Sequence, residues 1–144
     1  MDWPEIIAET IAATTLMSLF SHLVSKSFGK LFTEPVLINY VIRISKLELQ
    51  PKLGSALGWL LHYIAGLVFV IAYHWIWEKW LSDDWTSGLI LGALSGIVGI
   101  LVWMIAFSLP RREPRVAFTE YYIQLFFAHV VFALTAVGVH KIFS

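Results

Sequence analysis

The chain contains no cysteine, which excludes disulfides, thiol nucleophiles and thiolate metal sites. Charge is scarce too. Asp, Glu, Lys and Arg make up 14% of the 144 residues, where a soluble domain carries about 25%. Ten basic residues balance ten acidic ones, so there is no net positive field for nucleic acid, and none is expected as a partner. Catalytic signatures are missing as well: no H-E-x-x-H, no G-x-S-x-G, no phosphate-cradling glycine loop and no clustered carboxylate pair. The pattern calls for no cofactor and no metal, and a non-enzymatic role is expected.

Apolar residues fill the space that charge leaves. They account for 58% of the chain, and the mean hydropathy is +0.75. A chain this short cannot bury so much apolar surface in its own core, which leaves lipid as its surroundings. No Asp, Glu, Lys or Arg occurs in the 25 residues between Lys52 and Glu78, the 26 between Asp84 and Arg111, or the 20 between Glu120 and Lys141. About 20 apolar residues in a helix cross a bilayer, so each run predicts a span. A fourth, more polar span is predicted at the start, where Trp3-Pro4-Glu5 places proline in a first helical turn. The acidic residues leading it are unlike the basic start of a secretory signal. The expected fold is all-α: an integral membrane four-helix bundle with spans at about 4–24, 55–78, 86–109 and 118–141.

Charge also orients the spans. Lys26, Lys30, Arg43, Lys46 and Lys52 lie in the first loop, and Arg111, Arg112 and Arg115 in the third; only Lys79 and Lys141 lie on the other side. Basic residues stay in the cytoplasm, so both termini are expected outside it. Trp75, Trp77, Trp80 and Trp85 around Ser82-Asp83-Asp84 then mark the outer headgroup level, and Trp59, Tyr121 and Tyr122 the inner one. The first loop holds a further helix, at about 35–50, introduced by Glu34-Pro35. On it Asn39, Arg43, Lys46 and Gln50 form a polar stripe, away from Val36, Tyr40, Val41, Ile44 and Leu47. Such a helix lies in the membrane interface against lipid, or docks a cytoplasmic partner.

Two stripes of small residues point to helix packing. Gly88, Gly92, Gly96 and Gly99 share one face of the third span; Thr10, Thr14, Ser18 and Ser21, with Ser25, share one face of the first. Small residues let backbones approach and hydroxyls bond across, within one chain or between copies. Ionisable groups at membrane depth are the candidate site residues. His62 shares a face with Gly66, Phe69, Tyr73 and Trp77, and His129 with Tyr122, Phe126, Ala133, Ala136 and His140. At ~1.5 Å per residue His62 lies ~8 Å and His129 ~16 Å inside the inner edge, poorly matched as axial ligands for one haem. His22 is nearer His62 in height. Glu9 lies about one turn below the outer surface, at the start of a proton path or snorkelling to water. His74 and Glu78, four residues apart, read as an interface anchor.

Gly58-Trp59-Leu60-Leu61-His62-Tyr63 with Gly66 and Tyr73, the glycine ladder, Gln124…Ala128-His129 and Glu34-Pro35-Val36-Leu37 together carry a resemblance. The chain resembles an uncharacterised family of small four-helix bacterial inner-membrane proteins. The resemblance implies a bacterial inner membrane and carries over no catalytic residue. Three function classes fit. The leading one is a non-enzymatic membrane protein packing as a homo-oligomer or with a membrane protein partner. The others are a proton, ion or small-solute transporter or channel, and a lipid-, quinone- or haem-binding protein. Reporter fusions should place the Lys26–Lys52 segment and the Arg111–Arg115 turn on the same, cytoplasmic side; opposite sides would overturn the four-span arrangement.

Overall fold

A computed structural model describes residues 2–144. Five helices follow one another: α1 (Trp3–Phe28), α2 (Glu34–Ile44), α3 (Ala56–Lys79), α4 (Trp85–Ser108) and α5 (Phe118–Phe143). Among the described residues there is no strand. The four long helices are long and apolar enough to cross a membrane. Leu60, Val68, Leu89 and Ile105 stand on the outside of the bundle, each more than half exposed. Such an outer surface suits hydrocarbon. Both termini lie at one end of the bundle, the terminal end; α2 and the α4–α5 connection lie at the other, the loop end.

The helix boundaries follow local chemistry. No breaker stands between Val24 and Gly29, so α1 runs past its expected end. It stops at Gly29, whose φ of 61° is left-handed, while the Lys30 N–H bonds back to the Ser25 carbonyl at 3.1 Å. Asp84 caps α4: its Oδ1 accepts from the Ser87 backbone N–H at 2.8 Å and its Oδ2 from the Ser82 hydroxyl at 2.9 Å. Those donors, the backbone N–H first, hold its carboxyl below the usual range.

The short helix departs from expectation in length and in the face it buries. It ends at Ile44 rather than near 50, because the Ser45 hydroxyl donates to the Ile42 carbonyl and accepts from the Leu47 N–H, turning the chain away. Lys46 and Gln50 therefore fall beyond it. Asn39, expected on the wet stripe, is fully buried. Its amide donates to the carbonyls of Leu53 and Ser55, at 3.0 and 2.9 Å, and so holds the chain entering α3. Gly58 makes this docking possible, since a Cβ there would collide with the Pro35 carbonyl and the Asn39 amide. Only Arg43 of the stripe faces outward on the helix.

Around the bundle the helices follow the order α3, α1, α5, α4. The closest packing is between α4 and α5, where the glycine ladder is used up. A Cβ on Gly88 would meet Val137, on Gly92 the Val130 Cα, on Gly96 Phe126, and on Gly99 the His129 ring. The stripe is therefore buried within the chain and is not free to bind a second copy. Between α3 and α4, by contrast, few residues approach closely, and the two hydrogen bonds that join them lie in the terminal half, where Tyr73 Oη and Ser95 Oγ share a hydrogen bond at 2.7 Å and Trp77 Nε1 donates to Ser87 Oγ at 3.0 Å. Towards the loop end the two helices splay.

Gly92→Val should lower the detergent melting temperature by several degrees, because overpacking a tight contact costs about 1–3 kcal/mol. Gly138→Ala is the matched control. Its new Cβ would lie 3.5 Å from Trp85, ordinary contact, and its melting temperature should be little changed. Equal losses in the two variants would contradict the packing described.

Candidate functional site

The splay of α3 and α4 leaves a cavity of about 320 Å³ at the loop end, closed behind by α1 and α5 and below by α2. Most of its wall is apolar: Met17, Ile38, Val41, Phe69, Trp103 and Phe132 among others. Four polar or ionisable side chains also line it, Thr14, Glu34, His62 and His129. Two of them have buried oxygens without any partner, Thr14 Oγ1 and Glu34 Oε2. An unsatisfied buried polar atom costs about 1–3 kcal/mol, so two of them against one cavity are a reason to look for a ligand.

Their neighbours fix how these groups are presented. Ser18 donates to the Thr14 carbonyl at 2.8 Å, which spends its only hydrogen. His62 Nε2, 3.0 Å away, therefore donates to the Ser18 oxygen. His129 Nδ1 donates to the Leu125 carbonyl at 2.9 Å. In an uncharged ring, each histidine keeps its other nitrogen as an acceptor. Glu34 Oε1 accepts from Ser21 at 2.5 Å, and Ser21 in turn accepts from Gln124 at 2.6 Å. Burial pushes the Glu34 carboxyl up to about 8, against the smaller opposing pull of the Ser21 hydrogen bond. At neutral pH Glu34 is mostly a carboxylic acid, with an O–H to donate.

A second polar cluster occupies the terminal end. Glu9, fully buried, has Oε2 2.8 Å from His74 Nε2 and Oε1 3.2 Å from His140 Nδ1. Glu5 Oε1 is 2.5 Å from the same His140 nitrogen, and Asp83 Oδ2 lies 2.9 Å from His140 Nε2. A buried apolar layer that includes Ala13, Val70, Phe132 and Ala133 separates this cluster from the cavity.

The candidate residues are thus divided. His62 and His129 line one cavity in spite of their different heights. Ser18 holds His62 through Nε2 and the Leu125 carbonyl holds His129 through Nδ1, which leaves His62 Nδ1 and His129 Nε2 without a hydrogen bond. Tyr73 bridges to α4 above the cavity, and half-buried Tyr122 packs on Phe107 and Phe118. His22 corrects the expectation of a buried group: it is exposed, on the face of α1 turned away from the bundle, because the Thr14–Ser18–Ser21 face is the one that packs inward. Glu9 is a partnered buried carboxylate and does not snorkel. His74 also corrects the reading of an interface anchor; it points inward and pairs with Glu9. Glu34, Gln124 and His140 emerge as site residues only through the fold. Glu34 was legible as a helix start, and nothing local marked its burial against Ser21, thirteen positions away.

The raised Glu34 carboxyl has a measurable consequence. Its ordinary value is 4.5 and its folded value about 8, so the folded chain holds this proton more tightly. The stability tied to it is complete below about pH 4.5 and is lost as pH rises through 8. Melting of the detergent-solubilised protein should therefore fall between pH 5 and 8 relative to Glu34→Gln, which keeps the shape and cannot ionise. Parallel pH profiles for the two proteins would refute the assignment.

No protein-family model, curated protein or solved structure matches this chain, so its site is read from its own geometry.

Proposed function

We propose that the chain is a bacterial inner-membrane binding protein for a lipophilic molecule with an uncharged, hydrogen-bonding head, admitted from the bilayer between α3 and α4. The observation that carries this reading is a mostly apolar cavity lined by Thr14 and Glu34, each of which has a buried oxygen without a partner, Thr14 Oγ1 and Glu34 Oε2. A mostly apolar pocket with a few convergent polar groups is the usual form of a small-molecule site.

The groups also narrow the ligand. No Lys or Arg lines the cavity, and Glu34 would repel an anionic head once ionised. A neutral carbonyl oxygen suits both the Glu34 acid and the Thr14 hydroxyl as donors. Phe69 and Trp103 offer flat faces to a ring. An isoprenoid quinone has this chemistry: two carbonyl acceptors on a thin ring, with an apolar tail left in lipid. The quinol form donates instead, and the free nitrogens of His62 and His129 can accept. The distribution of basic residues supports a cytoplasmic loop end, and with it a cavity at the depth of the inner leaflet. Self-association through the glycine stripe loses its surface, because α5 covers that stripe.

Native mass spectrometry from mild detergent should find an amphiphile retained by the wild-type protein. Added ubiquinone should bind saturably. Ala106→Trp, which fills the cavity, should abolish both. Thr14→Val should weaken binding by a few-fold to about tenfold, the worth of one neutral hydrogen bond, without lowering the melting temperature of the empty protein. Failure to bind quinone, with no retained amphiphile, would remove this function.

A further inference from the structure

The terminal-end cluster is a different kind of site from the cavity. Glu5 and Glu9 sit one turn apart on α1, His74 comes from α3 and His140 from α5, so three helices converge there. The ligand atoms of these four residues all lie within 4.8 Å of one another. Their side chains are largely withdrawn from solvent, at 12% for Glu5, 0% for Glu9, 6% for His74 and 16% for His140. This is no solvated acidic patch, because each carboxylate faces an imidazole nitrogen across the bundle interior.

We propose that Glu5, Glu9, His74 and His140 bind one divalent transition-metal ion, Zn²⁺ fitting best, with Asp83 orienting His140 from outside the coordination shell. Two imidazoles and two carboxylates, with no thiolate, make an N₂O₂ donor set suited to Zn²⁺ and less closely to Mn²⁺. Tetrahedral Zn²⁺ with bonds of about 2.0–2.2 Å places its ligand atoms roughly 3.3–3.6 Å apart. The His140 Nδ1–Glu9 Oε1 separation is already 3.2 Å and His74 Nε2–Glu9 Oε2 2.8 Å. Side-chain shifts of up to about one ångström convert the present chain of contacts, Glu5–His140–Glu9–His74, into a coordination shell.

Asp83 is the second observation. A metal-bound histidine characteristically donates its other N–H to a carboxylate, which fixes the tautomer and the ring orientation. Asp83 Oδ2 occupies that place, 2.9 Å from His140 Nε2, while Nδ1 faces Glu5 and Glu9. Charge is the third. Three carboxylates meet only two imidazoles here, and with both rings uncharged a divalent ion offsets two of the three negative charges. A vestibule of about 480 Å³ leads to the cluster from the terminal end, with Asp2, Glu5, Glu78 and Asp83 on its wall. It gives a cation a wet, acidic way in.

The test uses the full chain in mild detergent after chelator treatment. Equilibrium dialysis against Zn²⁺, followed by metal analysis, should give one ion per chain, with a raised melting temperature. Co²⁺ in its place should develop the intense visible bands of a four-coordinate site. His140→Asn should remove uptake, and Asp83→Asn should weaken affinity by about 10-fold or more, as loss of an outer-shell carboxylate does. Asp83 is half exposed and outside every helix, so that variant separates metal binding from folding. Wild-type affinity in either variant overturns the assignment, as does the absence of saturable uptake by the folded wild-type protein. Neither result bears on quinone binding at the opposite end.

Discussion

A polar side chain surrounded by hydrocarbon finds no water to bond, so it must find its partner within the bundle or carry the cost. That constraint organises this molecule. The hydroxyls of Thr10, Ser18 and Ser21 on α1 return to backbone carbonyls, or reach a histidine or carboxyl on a neighbouring helix, and Thr14 is the exception that carries the cost. Ser21 alone joins α1 to α2 through Glu34 and to α5 through Gln124. Glu9 does the same at the other end, joining α1 to α3 and α5. Apolar contact sets how closely the helices approach. Polar pairing sets which face of each helix turns inward.

The same constraint explains what the sequence made legible. Charge-free runs of twenty residues or more have few alternatives to a span, and the ends of all three lie within three residues of the ends of a helix. The glycine and hydroxyl stripes marked the inward faces of α4 and α1, since spacing alone places them on one side. The cavity was legible only in part. His62 and His129 were identifiable as ionisable groups at depth, but their heights argued against a shared site. The arrangement of α3 and α5 around one cavity brings them together, and such convergence is a tertiary property with no local signal.

Periodicity failed for α2 because it cannot say what lies opposite a face. Asn39 fits a water-facing stripe, yet the carbonyls of Leu53 and Ser55, just ahead of α3, lie within its reach, and its amide donates to both. His74 was misread for a related reason. Its neighbour four residues on, Glu78, suggested a local pair, whereas the stronger partner was 65 residues away on α1. In a chain with so few charges, long-range pairing of rare polar groups outweighs what lies next to them in sequence.

The two hydrogen bonds joining α3 to α4 are both confined to the terminal half, at Tyr73–Ser95 and Trp77–Ser87. Mechanically they form a fulcrum. About 20 Å of α4 extends beyond Ser95 towards the loop end, so a tilt of roughly 10° about that point swings its tip by about 3 Å. The pivot can hold while the mouth widens, much as a clothes peg opens at one end because it is pinned at the other. Access from the bilayer then becomes a matter of leverage, resisted by the loop half of α4 where Gly99 packs on the His129 ring and Trp103 and Phe107 on Tyr121.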